Sequence, residues 1–443
     1  MSTLYWLNDD LRLQDNPALA AAAQDDTLTL LFCLDESRLQ TDRFGNQQMG
    51  EPRWGFLRQA LQDLGASLSR LGQTLNILEG KPQEIVSSLL DSGRFTRIIR
   101  SRQHTSAQCT MWQLLSQAFP HILFEEYDST TLYRQAAVQF REKFPATFSD
   151  FRRSLNAVAF RPAASQPLRL PPSTAVTLPG TVMPPGITMP PNIATGLPGG
   201  GESAGREYLQ AYFSTNAAST YKETRNQFFG SRYATGFSPW LALGCVSAVQ
   251  IFEQLRHYES RHGANESTGW ILFELMWREF FRWHASHHQA ALFEFSGITG
   301  RRPLTSFYPE RFCKWRDGKT PWPIVNACMN ELRQTGLLSN RGRQIAASCL
   351  VNELGLDWRC GAGYFAQQLL DYDACSNWGN WQYIAGVGAD PRGGRHFNLD
   401  KQAEIWDAQG TYRRNWAGTT PAGPLDSRDY YDWPIEVDKV DAP

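Results

Sequence analysis

The sequence holds no apolar run near the ~20 residues a membrane helix needs, and no apolar segment follows the acidic start "MSTLYWLNDDLRLQDN". Neither a membrane span nor a secretory leader is read from it. The cysteines at 33, 109, 245, 313, 328, 349, 360 and 375 show neither redox nor metal-ligand spacing. They are expected to be reduced, mostly buried thiols of a cytoplasmic protein. GxGxxG and GxxxxGK[ST] are both missing, which excludes the familiar glycine cradles for a pyrophosphate. A charge of one sign is missing too: the net charge is -1, so the whole chain gives no hint of nucleic acid. "HASHH" at 284–288 lacks a neighbouring acid or cysteine, so it reads as a solvated helix end and no metal is expected.

What is present is unevenly distributed. Residues 301–360 carry ten Lys/Arg against five Asp/Glu, and 426–443 carry six acids against two bases. The first stretch is either an ordinary solvated face or a local patch for phosphates. Residues 1–135 alternate strand-like "TLYWL", "TLTLLFCL", "TLNIL", "FTRII" and "HILFEEY" with helix-like "PALAAAA", "PQEIVSSLL" and "SAQCTMWQLLSQAF". Leu57, Leu61, Leu64, Leu68 and Leu71 make one helical stripe. Such alternation predicts an α/β domain with a doubly wound parallel sheet. Residues 136–201 are expected to connect the domains. From 162 onward that stretch holds ten Pro, six Gly and one charge, Arg169, too little for a packed core. Helical periodicity then fills 202–425, an all-α domain, and 426–443 is an acidic tail.

Three clusters carry candidate chemistry. Glu274, Trp277, Arg278 and Phe281 share a helix face by i, i+3, i+4, i+7 spacing. They form either an edge ion pair or the wall of a polar, aromatic cavity. In "ATGFSPWLALG", Ser238–Pro239 reads as cap and first turn of a helix. Thr235, Gly236 and Ser238 would stand before its N-terminus, as a phosphate site or a plain capped start. In "SNRGRQ", Asn340, Arg343 and Gln344 share a face, and a buried Arg343 would need Asp371 or Asp373. Those acids open "DYDACSNWGNWQYIAGVG", which gathers carboxylates, amides and indoles without a histidine or an activated nucleophile. That inventory suits a protein that holds a reactive cofactor rather than supplying the reactive group itself.

Together "YWLNDDLRLQDNPAL", "TYKETRN", "FSPWLALGCVS", "NESTGWILFELMWREFF", "SNRGRQIAASCLVNELGLDWR" and "DYDACSNWGNWQYIAGVG" resemble the photolyase/cryptochrome family, most closely its DASH branch. Six motifs in the family's order span nearly the whole chain. The resemblance implies FAD in the helical domain. Its phosphates would lie on Tyr221 and the turn Thr235, Gly236, Phe237, Ser238, and Arg278 and Asn340 would also contact it. Asp371 and Asp373 would accept hydrogen bonds from its N–H groups, with Arg343 paired to Asp371, and Asn377 would stand beside flavin N5. Trp381 and Trp358 match the first two members of a tryptophan electron relay. The third falls near Thr305 and Ser306, with Phe307, Tyr308 and Trp322 as substitutes.

Glu274 and Trp277 match residues that bind a flipped pyrimidine dimer. Arg225 and Arg341 are implied phosphate or substrate contacts. Gln344 and Tyr383 are the DASH-like choices that imply single-stranded or looped DNA. The implied activity is blue-light repair of such dimers, the alternative a photoreceptor that signals without repair. A 5,10-methenyltetrahydrofolate antenna is a further implied ligand, although Ala107-Gln108 and "WLNDD" depart from the usual pattern. A monomer is expected.

Overall fold

The computed structural model describes residues 1–138, 140, 144–174, 182, 199–228, 232–389, 393–420 and 424–426. Most of the Pro/Gly-rich connection and of the acidic tail lies outside them. Five parallel strands, β1 (Ser2–Leu7), β2 (Thr27–Asp35), β3 (Leu75–Gly80), β4 (Arg97–Ser101) and β5 (Leu123–Tyr127), form one sheet in the order β3-β2-β1-β4-β5. Helices α1 (Pro17–Ala22), α2 (Glu51–Ser69), α3 (Pro82–Asp91) and α4 (Ser106–Ala118) complete the domain. The central strands are buried almost throughout because both faces are covered, with Thr3, Thr29 and Arg100 among their buried polar members. Alternate residues separate cleanly: Tyr5, Leu7, Leu30 and Phe32 join the larger core shared with the helical domain. Leu4, Trp6, Leu31 and Cys33 join the core under α3 and α4.

The connecting segment holds its own helix, α5 (Phe148–Ser154). Further on it lies along the sheet domain, where Leu28 donates to the Pro172 carbonyl and Gly200 donates to Gln59. The remainder is helical: α6 (Glu202–Phe213), α7 (Ala217–Thr224), α8 (Ser238–Ala242), α9 (Ala248–His262), α10 (Glu266–His288) and α11 (Pro309–Arg316). These are followed by α12 (Pro323–Thr335), α13 (Asn340–Ser348), α14 (Trp358–Gln368), α15 (Ala374–Ala385), α16 (Leu399–Trp406) and α17 (Thr411–Asn415).

The "LNDDLRLQDN" loop after β1 locks the two domains. Arg12 is 1% exposed, and its guanidinium donates to the carbonyls of Gln14, Asp15, Ser129 and Gly244. Glu202 accepts from the Leu13 and Gln14 amides, and Glu279 accepts from the Leu132 and Tyr133 amides. Gly244 turns at φ +67° hard against the Asp9 carbonyl, where no side chain fits. Buried carboxylates and a buried arginine thus satisfy backbone groups that the domain contact would otherwise strand.

Six of the cysteines are buried and all eight are free. Among the described residues no group could hold a metal, and no helix is long and apolar enough to cross a membrane. His284 is 1% exposed, and burial pushes its imidazole down to about 3. It is a core residue rather than the solvated helix end read from the sequence.

Candidate cofactor and substrate site

A cavity of about 800 Å³ opens among α7, α8, α10, α12, α13 and α15. One wall is Tyr221, Thr235, Gly236 and Ser238. Another is Asn340, Arg343, Gln344 and Asp371, with Phe365 and Trp381 deeper. Arg225, Glu274, Trp277 and Tyr383 complete the set. Residues from five separate stretches of sequence therefore meet around one space.

Arg343 Nη2 donates to both Asp371 oxygens at 3.0 and 2.8 Å, and its Nε donates to the Leu338 carbonyl at 2.9 Å. Ser339 caps α13 by accepting from the Gly342 amide, which aims Asn340, Arg343 and Gln344 along one face. Among the described residues Gln344 Oε1 is buried without a partner, an acceptor available to a guest. Gly236 has φ +68°, and an added Cβ would strike the Tyr208 hydroxyl, so the backbone itself comes close to the cavity there.

Four arginines, 225, 232, 343 and 395, face three carboxylates, Glu274, Glu331 and Asp371. That balance suits a diphosphate. The phenyl and indole rings suit two flat heterocycles, so the residues present fit FAD.

At the rim Arg225 pairs with Glu274 at 2.5 Å, and Trp270 Nε1 donates to Glu274 at 3.1 Å. Burial holds the Glu274 carboxyl above its ordinary range, while Arg225 and Trp270 pull it back. Trp277 lies edge-on to Tyr383 at 6.4 Å, and Arg395 covers Tyr383 and donates to its hydroxyl.

Glu331 of α12 carries no sequence motif, but it stands on the helix face shared with buried Cys328 and Thr335, where a lone acid is the available signal. Tyr412 donates to it, and burial pushes its carboxyl up to about 7 against Tyr412 and Arg343. The native state thus binds a proton that the unfolded chain, with a value near 4.5, releases. The resulting stability is complete below about 4.5 and is lost as pH rises through about 7. Glu331→Gln cannot ionise. Its melting temperature should therefore gain on the parent's as pH is raised across that window, and a pH-independent difference would contradict the assignment.

Several expected contacts lie elsewhere. The Phe237 ring packs on Tyr212 at 5.0 Å inside the core, and Ser238 makes no capping bond but begins the helix itself. Arg278 shares a helix with Glu274 yet is spent on the Thr130 and Leu241 carbonyls as part of the domain lock. Burial pushes its guanidinium down to about 10. Asp373 caps α15 through the Ser376 amide at 2.8 Å and pairs with Arg282 at 2.6 Å. Burial alone would raise it, but Arg282 and Arg278 outweigh that and hold it down at about 2. Asn377 donates to the Ala362 carbonyl at 3.0 Å, off the cavity wall. Arg341 is stacked over Phe397 and Trp406, outside the cavity. Of the ten bases of 301–360, five are ion-paired among the described residues: Arg311–Asp426, Lys314–Glu310, Arg316–Asp317, Arg343–Asp371 and Arg359–Asp357.

Trp381 is 2% exposed, lines the cavity and packs on Phe365 at 5.1 Å. A methyl on Gly361 would overlap its ring. Trp358 is fully buried and donates to the Phe295 carbonyl at 3.1 Å. Phe307 packs on Phe44, Tyr308 lies under Arg311, and Trp322 borders the core of the helical domain that contains Trp358 and Trp381. The ring that meets Trp358 is instead Trp378, edge-on at 5.6 Å.

Asp371 and Asp373 face different spaces. A second cavity of about 770 Å³ lies between the domains, lined by Asp9, Gln103, His104 and Gln108 on one side and Tyr372, Asp373 and Trp378 on the other. It sits past the carboxyl ends of β1 and β4, where the strand order reverses, the usual ligand crevice of an open parallel sheet.

A parallel-sheet domain locked to a helical domain, with a dinucleotide-sized cavity rimmed by rings and an acid, defines a flavoprotein class. Family comparison agrees: residues 3–172 match DNA photolyase, and 270–428 match the FAD binding domain of DNA photolyase. Cryptochrome DASH of Idiomarina loihiensis is 45% identical over 98% of this chain and 96% of its own length. The crystal structure of the Synechocystis sp. PCC6803 cryptochrome has a TM-score of 0.89 at 37% identity, covering 94% of this chain and 88% of that one. A class III photolyase from Agrobacterium tumefaciens has a TM-score of 0.79 at 25% identity, covering 94% and 86%. The chain belongs to the photolyase/cryptochrome family, in its DASH branch, with FAD as its cofactor.

Proposed function

We propose that this protein is a light-driven enzyme that splits cyclobutane pyrimidine dimers in single-stranded or looped DNA. The observation that carries it is adjacency: Glu274, Trp277 and Tyr383 rim the same cavity whose inner wall is Asp371, Arg343 and Trp381. FAD, when bound, supplies the photochemistry as a blue-light absorber and electron donor. Asp371 and Arg343 hold and orient it, and Thr235, Gly236 and Ser238 take its phosphates. Glu274, held at the rim by Arg225 and Trp270, offers a hydrogen bond to an extruded base, and Trp277 and Tyr383 give the bases flat faces.

Tyr383 offers a smaller ring than an indole. Base–aromatic stacking is worth roughly 1–3 kcal/mol per base, so a smaller platform pays less of the cost of opening a duplex. Single strands are favoured accordingly. The second cavity is the place proposed for methenyltetrahydrofolate, with Tyr372 and Trp378 as its aromatic side and Gln108 as a polar contact from α4.

The test is illumination of the reduced protein with dimer-containing single strands and matched duplexes. Dimers should disappear from the single strands and persist longer in the duplex. A flavin spectral change with no loss of dimers in either would replace the enzyme by a photoreceptor.

A further inference from the structure

We infer that Phe148, in the segment joining the two domains, is a positioning residue for the substrate: it fixes the ring plane of Trp277 at the mouth of the cofactor cavity. The inference rests on the dimer-splitting reading above and deepens it. Phe148 opens α5, whose start is held by Thr147 accepting from the Asp150 amide at 3.2 Å. The Phe148 ring is 7% exposed and lies face-to-face on Trp277, with centroids 3.9 Å apart and planes 10° from parallel. It also meets Phe273 edge-on at 5.1 Å, and one turn later Phe151 meets Phe280 at 5.4 Å. Two phenylalanines one turn apart thus pin the connecting segment along α10.

An indole covered face-on cannot swing about its second side-chain torsion without lifting its partner. Trp277 is half-buried and lines the cavity, whereas Phe148 does not reach it. What Trp277 offers a guest is therefore its opposite face and its edge, at an angle set from behind. Any influence of Phe148 on a substrate passes through that ring. Pre-orienting a stacking platform spares the ordering cost at binding.

The probe is a short oligothymidylate single strand with one cyclobutane dimer, bound in the dark by the FAD-loaded protein and followed by fluorescence anisotropy. An undamaged strand serves as the reference. An aromatic pair is worth about a fivefold change, so Phe148→Leu should weaken dimer-strand binding by about that factor. Undamaged-strand binding and FAD content should be unchanged, and Phe148→Tyr should restore the parent affinity. In a Trp277→Leu background Phe148→Leu should add no further loss. Phe148→Met replaces Phe148→Leu if the latter does not fold. Parent-like dimer binding by these variants, or the same loss in the Trp277→Leu background, would overturn the inference while leaving the enzyme reading intact. A parent that binds both strands alike would remove the dimer reading and this role with it.

Discussion

Asp371→Ala is expected to weaken the protein's hold on FAD. The Asp371 side chain is 5% exposed and receives two hydrogen bonds from one Arg343 nitrogen, so its loss leaves a guanidinium on the cavity wall with its charge uncompensated. Breaking a fully buried pair costs about 3–5 kcal/mol. Arg343 is 29% exposed, and water screens part of that cost. About 2 kcal/mol remains, which is roughly a thirtyfold loss of affinity. Asp371→Asn keeps the shape and one acceptor and should fall between. Flavin per chain after gel filtration, followed by titration of the apoprotein with FAD, reads the effect. An FAD affinity in Asp371→Ala equal to the parent's would mean that the cofactor is held elsewhere.

Trp381→Phe should separate holding the cofactor from feeding it. Trp381 contributes an oxidisable indole to the cavity wall, next to Phe365 and Trp315. A phenyl ring fills most of the same space but is far harder to oxidise. FAD binding should be unchanged, while flavin photoreduction under blue light with an external reductant should slow by about tenfold or more, because the protein's part is to connect the cofactor electrically. An unaltered rate would remove Trp381 from the relay.

The legible part of this molecule was its periodic part. Alternation in "TLYWL" and "TLTLLFCL" marked strands whose successive residues go to opposite cores, and the leucines of α2 marked one buried stripe. The clustering of Asn340, Arg343 and Gln344 also follows from local geometry, since one helix face and one cap fix all three. The misplaced residues are those whose partners come from far away in the chain. Arg278 sits four residues from Glu274, but Thr130 and Leu241 had already claimed it. Asp373 did carry a local signal, an aspartate directly before a helix, which reads as a cap. Phe148 on Trp277 joins two distant segments and had no signal in either.

The central claim is that the helical domain is a cage for one dinucleotide flavin. The most direct test counts the flavin released from a known amount of protein on denaturation and then titrates the emptied, refolded chain with FAD and, separately, with FMN. One FAD per chain, rebound tightly, with FMN bound far more weakly for want of the adenylate half, is the predicted result. A folded chain that releases no flavin and takes up neither, or binds FMN as well as FAD, would contradict it.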